Sequence, residues 1–172
     1  MNSSLQYLSF KKLLLPFCLM ACSIVLYIPT FAQEHPPKPI LVSVSTLQHL
    51  SFGTFIQSGA SGTVTVDYTG SRTATGSIIL PGMFSIVTPA LFQVSALPGT
   101  LITIVNGTTA TLTGSNGGSI TLELEQSSTG SPFITNGTST DVFIGGKLTI
   151  GPLAANPAGL YNGTFTVTFI QQ

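Results

Sequence analysis

Charge is what this chain has least of. Charged residues make up 6% of its 172 residues, against about 25% in ordinary soluble domains. Beyond residue 32, only Lys38, Arg72 and Lys147 stand against Glu34, Asp67, Glu123, Glu125 and Asp141, a net of −2. Nucleic acid is excluded as a partner, because phosphate binding needs a basic surface. Both cysteines, Cys18 and Cys22, lie near the start. The rest of the chain therefore has no disulfide, no thiolate nucleophile and no cysteine metal site. Tryptophan is absent, and His35 and His49 are the only histidines. No segment keeps a helical period of apolar residues, so helices are not expected.

What is present begins with a targeting signal. Lys11 and Lys12 precede an apolar run from Leu13 to Ile28, and Thr30-Phe31-Ala32 supplies small residues before a cut. That order predicts a secretory signal peptide over residues 1–32, removed after Ala32. Pro16 breaks the run and no basic cluster follows it, which argues against a retained membrane span. Leu19-Met20-Ala21-Cys22 resembles a lipoprotein cleavage box in which Cys22 would be acylated. Met20 and the continuing apolar run count against that alternative. Residues 33–39, with Pro36, Pro37 and Pro39, read as an extended linker. Residues 40–172 are expected to form a single domain, and a chain of this length can bury one core.

Short alternating segments fill that domain. Strands are expected at Ile40–Val44, Leu50–Ile56, Thr63–Tyr68, Thr73–Leu80, Ala90–Leu97, Leu101–Val105, Thr109–Thr113, Ile120–Glu125, Val142–Ile144 and Lys147–Ile150, with a last strand from Thr164. Successive side chains of a strand point to opposite faces. Val64, Val66 and Tyr68 should therefore share a face, as should Ile120, Leu122 and Leu124, and also Phe165, Val167 and Phe169. Asn106-Gly107 suits a tight hairpin turn between its flanking strands. The 23 threonines after residue 32 should supply the polar face that charges do not. Many short strands between Gly, Pro and Asn turns predict an all-β, mostly antiparallel β-sandwich.

Candidate chemistry is sparse. His35 and His49 have no thiol partner, and Glu34 beside His35 does not make a site. Glu123 and Glu125 should project from one outer face about 7 Å apart. Such a pair can hold calcium or perform acid–base work at a glycoside, or it can simply be a solvated face that discourages sheet stacking. Asn106, Asn136 and Asn162 each open an Asn-Gly-Thr triplet, which matches the glycosylation acceptor pattern and in a bacterial protein is read as asparagine–glycine turns. Gly114-Ser115-Asn116-Gly117-Gly118 lacks the lysine and helix of a phosphate loop. The expectation is no enzyme, no cofactor, no metal and no catalytic residue.

A set of landmarks carries a family resemblance. They are Leu50-Ser51-Phe52-Gly53-Thr54, Gly62 to Val66, Thr73 to Gly76, Phe92-Gln93-Val94, Thr111 to Gly114, Phe143 to Ile150 and Gly159 to Val167. In order and spacing they resemble a family of secreted bacterial domains of unknown function, related in pattern to spore coat protein U and to chaperone–usher pilins. The resemblance covers about Val42 to the end. It implies an immunoglobulin-like sandwich and a secreted or cell-surface structural role, reached through the periplasm. Gly159 stands fourteenth from the end, where pilins commonly carry a glycine. The pilin cysteine pair is missing, and Gln171 replaces a penultimate aromatic.

The function expected is a structural or interaction protein of the bacterial envelope, with self-association or envelope partners engaged through strand edges. Edges are normally defended by lysine, proline or bulges, and few charges are available here. Ile40, Val42 and Val44 can pair as the domain's own first strand, which is the expectation, or as a strand donated to a neighbour. A carbohydrate-binding or adhesive module on the same scaffold is the alternative, weakened by the lack of tryptophan and the expected burial of Tyr68 and Tyr161.

Overall fold

A computed structural model describes residues 41–44 (backbone only), 48–82 and 85–172. Residues 1–40, on which the expected signal peptide and linker, Cys18, Cys22, His35 and Ile40 fall, lie outside the described residues. Eleven strands and no helix are found among them: β1 (Leu41–Val44), β2 (Ile56–Val66), β3 (Arg72–Ile79), β4 (Ala90–Ser95), β5 (Leu101–Asn106), β6 (Ala110–Gly114), β7 (Ser119–Ser127), β8 (Phe133–Ile134), β9 (Ser139–Ile150), β10 (Tyr161–Asn162) and β11 (Val167–Gln171). Every strand pairing is antiparallel.

The spine is β9, where two separate strands were expected. One of its edges carries β7. Its other edge is shared, with β4 on Ser139–Ile144 and β2 on Gly146–Ile150. Gly145 sits where the partner changes. A Cβ there would run into the Val66 carbonyl oxygen and lie 2.8 Å from the Asp67 carbonyl carbon. At Gly146 it would meet Leu122 at 2.8 Å and Leu50 at 2.9 Å. The two glycines thus do not separate strands. Gly145 lets the strand pass close beneath another backbone, and Gly146 leaves room for core side chains. With β1 outside β4, β3 outside β2, and β6 and β10 beyond β7, this is an eight-stranded sheet, and it curls into a half-barrel. A second sheet holds β11, β5 and β8 in that order.

Alternation then builds the core. Val64, Val66, Ile120, Leu122, Leu148 and Ile150 fill the hollow of the large sheet with Phe52 and Ile78. Phe92, Val94, Val142 and Ile144 pack with Ile102 and Phe133 of the small sheet. Leu50, Leu124 and Phe165 touch both groups and join them. On the outer face, directly paired residues Thr75, Thr63, Thr149, Thr121 and Thr111 form one row across β3, β2, β9, β7 and β6. The expected hydroxyl face is therefore present. The Thr63 and Thr75 hydroxyls are bonded at 2.7 Å.

Four local expectations need correction. Leu50–Phe55 is not a strand: it makes one bridge, Ser51 to Thr88. Gly53 turns the chain at φ +66, and Arg72 takes the carbonyl oxygens of Phe52 at 2.8 Å and Thr54 at 3.0 Å. Asn106-Gly107 is not a hairpin turn, because β5 and β6 belong to different sheets. The Gly107 N–H instead donates to the Thr166 carbonyl at 2.8 Å, and the segment is a crossover. Tyr68 is exposed, since the chain turns at Asp67–Gly70 before it can follow Val66 inward. The final ladder starts at Val167 rather than Thr164.

Candidate functional site

The feature least explained by self-contained folding is the outer edge of β11. Its five residues, Val167-Thr168-Phe169-Ile170-Gln171, contain no charge, proline or glycine. Among the described residues β5 is its only ladder partner. Those are the conditions under which an edge stays open to another strand.

The inner face of this segment is only partly covered. Phe165, Val167 and Phe169 turn toward the core as alternation requires, yet all three remain half-buried. Across from them, Val94 and Val142 are 0% exposed and Phe92 is 7% exposed. The Phe92 and Phe169 rings meet at 5.5 Å, tilted by 55°, within the range of separations at which aromatic pairs attract. That contact sets β11 over β4. Ile102 of β5 packs with Val142 and Ile144 of β9, and β9, β4 and β1 are successive neighbours. β1 itself pairs with β4 of its own chain, Leu41 opposite Ser95 and Val44 opposite Phe92.

At the other end of the small sheet lies an open groove of about 710 Å³ beside β8. Leu101, Ile134 and Pro132 give it apolar walls, and Thr129, Asn136 and Ser139 add hydroxyl and amide groups. No charged residue lines it.

The residues singled out from sequence do not converge. His49 is exposed, and its carbonyl accepts the Thr88 hydroxyl at 2.5 Å. Glu123 and Glu125 do not form a regular outward pair. The register slips between Leu124 and Ser127, so Glu125 sits half-buried at a bulge while Glu123 is exposed opposite Lys147. No group of three or more metal-capable side chains exists among the described residues. Gly114–Gly118 forms the β6–β7 connection, with Gly117 and Gly118 at positive φ. Asn106, Asn136 and Asn162 are all exposed.

Sequence reading missed Arg72, the only arginine. Besides Phe52 and Thr54 its guanidinium reaches Ser85 Oγ at 3.3 Å and the Pro81 carbonyl at 3.5 Å. Being the lone arginine in a charge-poor chain was the available signal. Asp67 has a comparable local role. The Thr69 hydroxyl at 2.6 Å, with the N–H groups of Ser71 at 2.9 Å and Thr69 at 2.8 Å, holds its carboxyl below the ordinary value of 3.8. Both residues serve loops.

Comparison with curated proteins found no match, and neither did comparison with solved structures. A family profile described as a domain of unknown function, DUF4402, matches residues 42–170. That span takes in every strand except the edges of β1 and β11, and on it the chain belongs to the DUF4402 family of domains of unknown function.

Proposed function

We propose that this protein is a secreted or cell-surface structural subunit of the bacterial envelope, with a pilin-like variant of the immunoglobulin-like sandwich, that associates through the outer edge of β11. The observation that carries the reading is the combination at β11: an undefended edge whose inward side chains are half-covered. A partner supplying one extended, alternately apolar segment would extend the small sheet by main-chain bonds and complete the core beneath it. β1 is already paired in its own chain, which agrees with its being the domain's own first strand.

Sedimentation of residues 33–172 over a range of concentrations tests this. Thr168 is exposed on β11, and Thr168→Lys places a charge on the edge. The variant should keep the parent's thermal unfolding and lose association or binding of an alternating apolar peptide. Equal association by parent and variant would overturn the reading, as would a parent that neither associates nor binds the peptide.

The groove beside β8 favours a second reading, a carbohydrate-binding module, because its polar lining is entirely neutral. Binding to a panel of neutral oligosaccharides that is lost in Ser139→Tyr, a change that fills the groove, would support it.

A further inference from the structure

We propose that Asn136 is the site at which the folded chain is spontaneously modified, by deamidation to aspartate and isoaspartate. Four asparagines precede glycine: Asn106, Asn116, Asn136 and Asn162. In such a pair the following backbone nitrogen has no side chain to hinder its attack on the asparagine amide carbon. The Gly137 nitrogen forms a bond to Asn136 Cγ and ammonia leaves, closing a succinimide. Water then opens the ring at either carbonyl. One opening gives aspartate, and the other routes the main chain through the former side chain as isoaspartate.

All four asparagines are exposed, so exposure does not choose between them. Restraint does. Asn106 ends β5, its Nδ2 donates to the Glu125 carbonyl at 3.1 Å, and the Gly107 N–H donates to Thr166 at 2.8 Å. Asn116 donates through Nδ2 to the Ala158 carbonyl at 2.7 Å, and the Gly117 N–H donates to Gly114 at 3.1 Å. Asn162 is held in β10 opposite Thr113. In these three the amide or the attacking nitrogen is occupied, or the backbone is fixed in a ladder. Neither the Asn136 side chain nor the Gly137 N–H bonds to any described residue. The two residues lie between β8 and β9, anchored only on either side by Thr135 and by the Thr138 carbonyl, which accepts from the Ala96 N–H at 3.2 Å.

The product changes the surface. Asn136 lines the neutral groove beside β8, so conversion puts the first carboxylate there and makes the chain one charge more negative. The test is incubation of the folded full-length protein in mildly alkaline buffer, followed by peptide mapping over time, with a parallel sample in concentrated urea. Asn136 should convert at least about tenfold faster than the other three in the folded protein, because a restrained asparagine reacts only from locally opened states. In urea the four rates should converge, and Asn136→Gln should remove the early acidic species without altering unfolding. Conversion of Asn106, Asn116 or Asn162 as fast as Asn136 in the folded protein would overturn the proposal, and so would no conversion at Asn136.

Discussion

At the scale of single residues, this domain depends on a few groups placed where backbones converge. Arg72 replaces a ladder for the Phe52–Thr54 segment through one part-buried and one exposed carbonyl contact. Water can take over the exposed carbonyl, so Arg72→Met should lower stability by about 1 kcal/mol in denaturant titration, with Arg72→Lys recovering only part. Gly145→Ala should destabilise by about 1–3 kcal/mol through overpacking against Val66 and Asp67. Asp67 provides a pH test. Its carboxyl is held below 3.8 by Thr69 and Ser71, so its contribution is present above that value and disappears as the pH falls through the lower folded value. The contribution is small because the group is exposed. Asp67→Asn should therefore unfold slightly earlier than the parent at neutral pH and together with it in strong acid.

At the scale of elements, alternation was legible wherever one face meets the core. Ile120, Leu122 and Leu124 point inward as their spacing requires, and so do Phe165, Val167 and Phe169. What local pattern could not reveal was which strand pairs with which. Asn106-Gly107 has the composition of a hairpin turn, yet β5 and β6 part to separate sheets because β5 is claimed by β11. Gly145-Gly146 looks like a break, yet it is a passage within one strand: Gly145 is required by the end of β2, about eighty residues away, and Gly146 by the Leu50 and Leu122 side chains. The β11 edge follows the same logic: its inward face was readable, its incomplete cover was not. Side-chain truncation separates the two sides of that contact. Phe→Ala in a full core costs about 3–5 kcal/mol. Phe92→Ala should reach that range, because Phe92 is 7% exposed, and half-buried Phe169→Ala should cost less. Equal losses would mean that β11 is already fully covered.

At the scale of the whole molecule, the described residues form a charge-poor, hydroxyl-faced domain whose β11 edge has no strand beyond it. The scarcity of charge leaves few of the usual defences of a strand edge, and β11 has none of them in its sequence. We expect export to remove residues 1–32, and intact mass of the secreted protein should place its start at Gln33. A start at a lipidated Cys22 would contradict that.

Amide hydrogen exchange can locate the surface through which the molecule associates. Exchange measured on residues 33–172, dilute and concentrated, should show protection gained on association in Val167–Gln171 of the small sheet, with little change in β3 or β10, two of the outer strands of the large sheet. Protection that appears in β3 or β10 while β11 stays unchanged would show that the molecule associates elsewhere and that the β11 edge is not its site of assembly.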